Sequence, residues 1–334
     1  MRKWFLPIAL LLLLNLSCER SLMPEDPGAS PQANFESLVE TVGNKYSFFQ
    51  IKNINWEQIS AIQRARVHSN MSDEELFEVL DTLLYQLRDG HVNLVAPFDL
   101  NRNWSWYLNS PDNFDEQVLE RQYLGSDYRI MNGFRYRYLR DSIGYIHYSS
   151  FSSGFTETQM DLLFKYFANA KGLILDLRNN GGGSLNNTYR LASRFLTEST
   201  TVLISDEKTG PGANDFGNAV SIGLSPSGNY HFSKPVVLLS NRRCYSATNT
   251  FTAISKSIPH IYHMGDTTGG GGGIPIDFEL PNGWRYRFSA TRSFTPDGFN
   301  IEMGLPPDSA FNLDPLQLQQ GYDAYIEEAL KRLD

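Results

Sequence analysis

The sequence predicts an α/β protein in which a small helical region precedes a core built on a parallel sheet. Residues 34–88 carry apolar residues at helical spacing in three stretches. From residue 143 onward, short apolar runs alternate with helical stretches, the pattern of parallel strands joined by right-handed crossovers. Two strand-to-helix turns in that region are rich in glycine or polar residues. Ligands on open sheets of this kind bind beyond the carboxyl ends of the strands, so those turns are where chemistry is expected.

The amino terminus predicts export. Met1-Arg2-Lys3 is basic, Leu6 to Leu14 is apolar apart from Pro7, and Asn15-Leu16-Ser17-Cys18 leads into polar Glu19-Arg20. A run this short reads as a secretory signal over residues 1–18 and not as a spanning helix. Residues 19–33 hold three prolines without apolar periodicity, the composition of a flexible tether. A helical domain is expected over 34–95. Its clearest helix starts with Ser72 and Glu75 in a capping box and continues with a stripe of Leu76, Leu80, Leu83, Leu84 and Leu87. Gly90 suggests an end near Arg88. Residues 96–142 read as a connector, in which Phe134 to Leu139 forms a hairpin with Gly144 to Tyr148. The core is expected over 143–334, with strands at 172–177, 235–240 and 261–264 and helices beginning near Ser184 and Ser246.

Bulk composition narrows the function. The 334 residues are 41% hydrophobic and carry a formal net charge of -8, with the 20% charged residues dispersed. A nucleic-acid partner would call for clustered Lys and Arg, so none is expected. No His/Asp/Glu cluster has metal-ligand spacing, and neither metal nor cofactor is expected. The chain has two cysteines.

The first turn is Asp176-Leu-Arg-Asn-Asn-Gly-Gly-Gly-Ser184. Glycines after a strand let backbone N–H groups face a ligand at the positive end of the next helix. Such a turn could cradle a phosphate or a tetrahedral oxyanion, or could simply be tight. The second turn, Arg243-Cys-Tyr-Ser246-Ala-Thr-Asn249, puts a serine at a helix start, where it could be an N-cap or a nucleophile.

At these residues the chain resembles the tail-specific, or C-terminal-processing, peptidases. The first turn is similar to that family's Asp-Leu-Arg-Asn-Asn-Pro/Gly-Gly-Gly motif. Tyr245-Ser246-Ala247-Thr248-Asn249 is similar to its Ala-Ser-Ala-Ser-Glu nucleophile segment, with Asn249 in place of Glu. Gly265-Asp-Thr-Thr-Gly-Gly270 resembles its Gly-Glu-x-Thr-x-Gly turn. The resemblance covers roughly residues 143–310. It implies a crotonase-like or Clp-protease-like core, Ser246 as nucleophile, and an oxyanion hole from the N–H groups of Gly182 and Ala247. Residues 96–142 lack the family's Gly-Asp carboxylate-binding pattern, so no PDZ domain is expected. Leu16-Ser17-Cys18 similarly resembles the lipobox of bacterial lipoproteins. It implies an acylated Cys18, a lipid anchor in the membrane and a place in the bacterial cell envelope, simple cleavage being the alternative.

The resemblance departs at the base. The tail-specific branch takes a lysine from the glycine turn after the third strand, whereas Gly269 to Gly273 fill that turn here and no lysine lies between Lys256 and Lys331. Lys256 would stand roughly 15 Å along the helix from Ser246, out of reach. Leu87-Arg-Asp-Gly-His91-Val-Asn-Leu94 resembles instead the histidine motif of the tricorn-like branch, which implies His91 as general base. The bland alternative is a histidine that complements a helix end, and His263 stands in reserve. Phe299-Asn-Ile-Glu302-Met-Gly304-Leu-Pro-Pro-Asp308 is similar to that branch's late acidic segment. Glu302 is thereby expected to orient or complete the site, or else to be a surface residue. The expected activity is hydrolysis of peptides or protein C-terminal tails through an acyl-enzyme. Two other readings stay open: a binding protein for peptides or apolar ligands on the same fold, and an acyl-CoA enzyme of crotonase type.

Overall fold

The structure, a computed structural model, describes residues 28–140 and 142–334. The expected signal segment, Cys18 and residues 19–27 of the tether lie outside the described residues. The rest of the tether does not hold as drawn: a helix, α1 (Pro31–Lys45), begins within it. Ser30 Oγ accepts from Ala33 N at 3.2 Å and Pro31 sits at the first helical position, where its missing N–H costs nothing.

Two further helices follow, α2 (Trp56–Arg64) and α3 (Asp73–Tyr85). The capping box forms as expected, with Glu75 N donating to Ser72 Oγ and Ser72 N to Glu75 Oε2. The Leu76, Leu80, Leu83, Leu84 and Leu87 stripe is buried. Helix α3 ends at Tyr85, three residues before Arg88, because Arg88 itself takes a left-handed φ of 49° and turns the chain before Gly90. That reversal sends Val92 and Leu94 beneath the helices and forms β1 (Asn93–Val95). Strand β1 pairs antiparallel with residues Arg285 to Arg287, nearly two hundred positions on. The helical domain expected at 34–95 is therefore not closed in sequence: Leu280, Trp284, Tyr286 and Phe288 complete its core.

Among the described residues the main sheet has seven strands. Strands β2 (Arg129–Met131), β3 (Phe134–Leu139), β4 (Ile143–Tyr148) and β5 (Gly172–Asp176) are followed by an excursion through β6 (Thr200–Glu207) and β7 (Val220–Leu224). The chain returns in β8 (Val236–Ser240) and β9 (Ile261–Gly265), makes β10 (Pro275–Glu279), β11 (Arg285–Ser289) and β12 (Thr291–Phe294), and ends its strands with β13 (Ser309–Ala310). The order is β13-β9-β8-β5-β4-β3-β2, parallel from β13 to β4. The expected hairpin is β3–β4. Because β2 and β3 extend the main sheet, the boundary drawn at 142–143 cuts through that hairpin and the 96–142 connector is partly core. Helices α4 (Glu157–Tyr166), α5 (Leu185–Ala192) and α6 (Ala247–Ser255) enclose one apolar cluster, and α7 (Ala324–Leu333) packs on the other face.

A buried ion network braces the turn after β5. Arg178 Nη2 lies 2.6 Å from Asp176 Oδ2, and its Nη1 lies 2.8 Å from Asp323 Oδ2 at the start of α7. Guanidinium geometry suits this two-sided clamp, which fixes the turn that the site uses.

Candidate active site

The carboxyl ends of β5 and β8 deliver both turns to one cavity of about 600 Å³. Ser246 lies directly before α6, yet it does not act as a helix cap: its side chain makes no capping hydrogen bond. Its backbone takes φ 57° and ψ -120°, a conformation that costs a non-glycine residue about 1–3 kcal/mol and persists only where neighbours impose it. The neighbours are Gly270 O, accepting from Ser246 N at 2.9 Å, and Asn180 O, accepting from Tyr245 N at 3.2 Å. The strained turn aims Ser246 Oγ at His91 Nε2, 2.9 Å away.

His91 comes from the other side of the cleft, on the bend between α3 and β1, and is buried. Its Nδ1 is 3.3 Å from Ser289 Oγ at the end of β11 and 4.0 Å from Asp89 Oδ1. Asp89 Oδ1 also accepts from His91 N at 2.8 Å and from Tyr245 Oη at 3.2 Å. Burial lowers the His91 pKa to about 4; Asp89 opposes that, while Arg287 and Lys52 add to it. The imidazole is therefore neutral at pH 7. Asp89 is buried too, but Lys52, His91 and the Ser289 hydroxyl overcome the burial and hold its carboxyl below the usual range.

Glu302 is buried and not a surface residue, but it does not orient His91 by direct contact. Its Oε1 lies 2.6 Å from Lys52 Nζ, and its Oε2 accepts from Gly272 N at 2.8 Å. Burial raises its pKa to about 7, with Lys52 pulling the other way.

The oxyanion expectation is corrected in part. The Gly182 N–H already donates to Asn180 Oδ1 at 3.0 Å, so it is not free to bind an oxyanion. With φ at 103° and a notional Cβ only 2.6 Å from Tyr245 O, Gly182 serves close packing beneath the Ser246 turn. Ala247 and Gly183 line the cavity, and neither N–H has a protein acceptor among the described residues. That pair is the better candidate.

The glycine turn leaves no room for a lysine. A Cβ at Gly270 would lie 1.9 Å from Glu302 O and one at Gly272 would lie 2.9 Å from Glu302 N. Lys256 instead pairs with Asp308 at 2.7 Å. The reserve histidine, His263, is spent on Ser240 Oγ at 2.6 Å. Asn249 stands buried where the related motif has Glu, bridging Thr268 Oγ1 and Ile301 O at 2.6 and 2.8 Å. Cys244 is buried with its Sγ directed to Leu177 O at 2.9 Å, and burial pushes its thiol up to about 12. Among the described residues no group of His, Cys, Asp or Glu side chains could hold a metal ion.

Lys52 and Ser289 were not singled out from the sequence. Lys52 ends the aromatic stretch Tyr46-Ser-Phe-Phe-Gln-Ile-Lys52, where a lone cation among apolar residues was the available signal. Ser289 closes the alternating strand Arg285-Tyr-Arg-Phe-Ser289, and nothing local distinguishes it.

A hydroxyl on a strained turn, in contact with a neutral imidazole beside free backbone donors, is an arrangement of the serine-hydrolase class. Comparison with known proteins narrows that class. Peptidase family S41 matches residues 142–311, and the Tricorn protease C1 domain matches residues 27–84. A solved structure of a candidate peptidase from Parabacteroides merdae ATCC 43184 is 41% identical with a TM-score of 0.87, covering 92% of this chain and 97% of that one. The chain belongs to peptidase family S41. A carboxyl-terminal-processing protease of Synechocystis sp. is 31% identical over 169 residues, 50% of this chain and 37% of the relative. A chloroplastic C-terminal processing peptidase of Tetradesmus obliquus is 28% identical over 178 residues, 53% of this chain and 36% of the relative. The chain thus matches well under half the length of these two curated relatives.

Proposed function

We propose that the chain is a serine peptidase that cleaves peptide bonds in peptides or protein C-terminal tails through an acyl-enzyme, with Ser246 as nucleophile and His91 as general base. The 2.9 Å contact between Ser246 Oγ and His91 Nε2 carries this reading. Ser246 Oγ attacks the scissile carbonyl carbon as its proton passes to His91 Nε2, and the oxygen's negative charge is met by the N–H groups of Ala247 and Gly183. The C–N bond then breaks as His91 returns the proton to the leaving amine. Water attacks the ester, giving a proton to His91, and the serine leaves with that proton restored. Ser289 and Asp89 support the Nδ1 side of the imidazole, and Glu302 completes the buried polar cluster behind the glycine turn.

The cavity supports an extended substrate with an apolar side chain beside the scissile bond. Leu185, Tyr189, Leu203 and Ile222 line it together with Ser246 and His91. Incubation with a folded protein carrying an unstructured, apolar-ended tail is expected to yield tail-shortened product by intact-mass measurement. An unchanged mass, or equal loss with Ser246→Ala, would refute the activity. A pure binding protein has no use for a strained serine in contact with a buried neutral imidazole, which favours the enzyme.

We also propose, from the amino-terminal sequence, that the protein is exported and held at the membrane of the bacterial cell envelope through a lipidated Cys18. Detergent-phase partitioning of the full chain is expected to be lost in Cys18→Ser. Partitioning that survives the substitution would refute the anchor.

A further inference from the structure

We propose that Lys52 is a positioning residue of this centre, whose ammonium holds the bend that delivers His91 and keeps the Asp89 carboxylate charged beside it. The inference rests on the serine-peptidase reading above and adds a group from the helical region, which that reading does not require.

Three contacts occupy the three donors of Lys52 Nζ: Glu302 Oε1 at 2.6 Å, Arg88 O at 3.1 Å and Tyr46 Oη at 3.2 Å. Tyr46 Oη in turn donates to Leu87 O at 3.1 Å. The ammonium thus grips both Leu87 and Arg88, the two residues before Asp89, where the left-handed Arg88 turns the chain. A bend held in this conformation needs such neighbours, because isolated non-glycine residues avoid it. Displacing it would move His91 Nε2 off Ser246 Oγ.

The second role is electrostatic. Asp89 Oδ2 is buried without a hydrogen-bond donor, and Lys52 Nζ lies 3.9 Å from it. The groups facing this cluster are Lys52, Asp89, His91, Glu302, Tyr46 and Tyr245, with Arg287 Nε donating to His91 O at 3.1 Å. Two buried carboxylates side by side would ordinarily share a proton. Lys52 favours ionised Asp89 while Glu302 takes up the strain, which agrees with the opposite shifts of the two acids. Asp89 ionisation matters because His91 must become imidazolium in a buried site during the reaction, and a carboxylate 4.0 Å from Nδ1 compensates that charge.

The test is the rate of labelling by a fluorophosphonate probe across pH for wild type, Lys52→Met and Lys52→Arg, with Lys52→Met/Glu302→Gln as the charge-balanced variant should Lys52→Met not fold. In whichever of Lys52→Met and the double variant folds, labelling at pH 7 is expected to slow about 30-fold or more. The acid limb of the profile is expected to move up by about one pH unit or more, because losing the ammonium lets both His91 and Asp89 take their protons at higher pH. Lys52→Arg, which keeps the charge, is expected to keep the limb in place. A folded Lys52→Met or double variant with the limb unmoved and labelling within about twofold of wild type would overturn the proposal. A separate readout distinguishes failure of the peptidase reading. In a Ser246→Ala background, the carbon-13 carboxyl titration of Asp89 should rise on removal of Lys52, and an unmoved titration would overturn the proposal whether or not wild type labels.

Discussion

Ser246→Ala is expected to lower kcat for peptide hydrolysis by about 10⁴–10⁶, with KM within about twofold of wild type. In the proposed mechanism the serine forms the covalent bond, so its loss removes the acyl-enzyme route, while the cavity walls stay in place. The backbone hydrogen bonds from the N–H groups of residues 245 and 246 that impose the turn do not involve the serine side chain, so φ stays at 57° and the site keeps its shape. Residual rate would then come from bound water and the backbone donors alone. Steady-state kinetics on a fluorogenic peptide measures both constants, and a kcat within tenfold of wild type would contradict the assignment.

The second large effect is at His91. His91→Ala is expected to cost about 10²–10⁴ in kcat, the usual contribution of a positioned general base. Its pH profile carries a sign that can be checked. Burial depresses the imidazole to about 4, so only the neutral base is present at pH 7. As pH falls through about 4 the base takes up a proton and kcat/KM of wild type falls with it. An exposed histidine would place that limb near 6.5. A wild-type acid limb at 6–7, lost in His91→Ala, would keep His91 as the base but contradict the depression of its pKa. A limb unaffected by His91→Ala would contradict the base itself.

The two turns of the core were legible because each motif is local: Asp176 to Ser184 and Arg243 to Asn249 are continuous stretches whose glycines and serine state their geometry. The capping box at Ser72 and the leucine stripe were legible for the same reason. His91 could be read only through its flanking residues, and the Lys52 and Ser289 contacts could not be read at all. Lys52 reaches Arg88 and Glu302 through the tertiary fold, and Ser289 meets His91 because β1 pairs with β11 across nearly two hundred residues; no periodicity within these segments specifies such partners. The error at Gly182 has a different cause. The glycine triplet marks a turn, but which N–H remains free depends on a single side-chain bond from Gly182 to Asn180. Glu302 was singled out to orient or complete the site, and it contacts Lys52 and not His91, because a buried carboxylate goes to the nearest buried cation.

The most direct test of the account is to treat the folded wild-type protein with a fluorophosphonate and map the adduct by mass spectrometry. A single adduct on the peptide containing Ser246, absent from Ser246→Ala, is the expected result. No adduct on folded protein, or an adduct on another residue that survives Ser246→Ala, would contradict it.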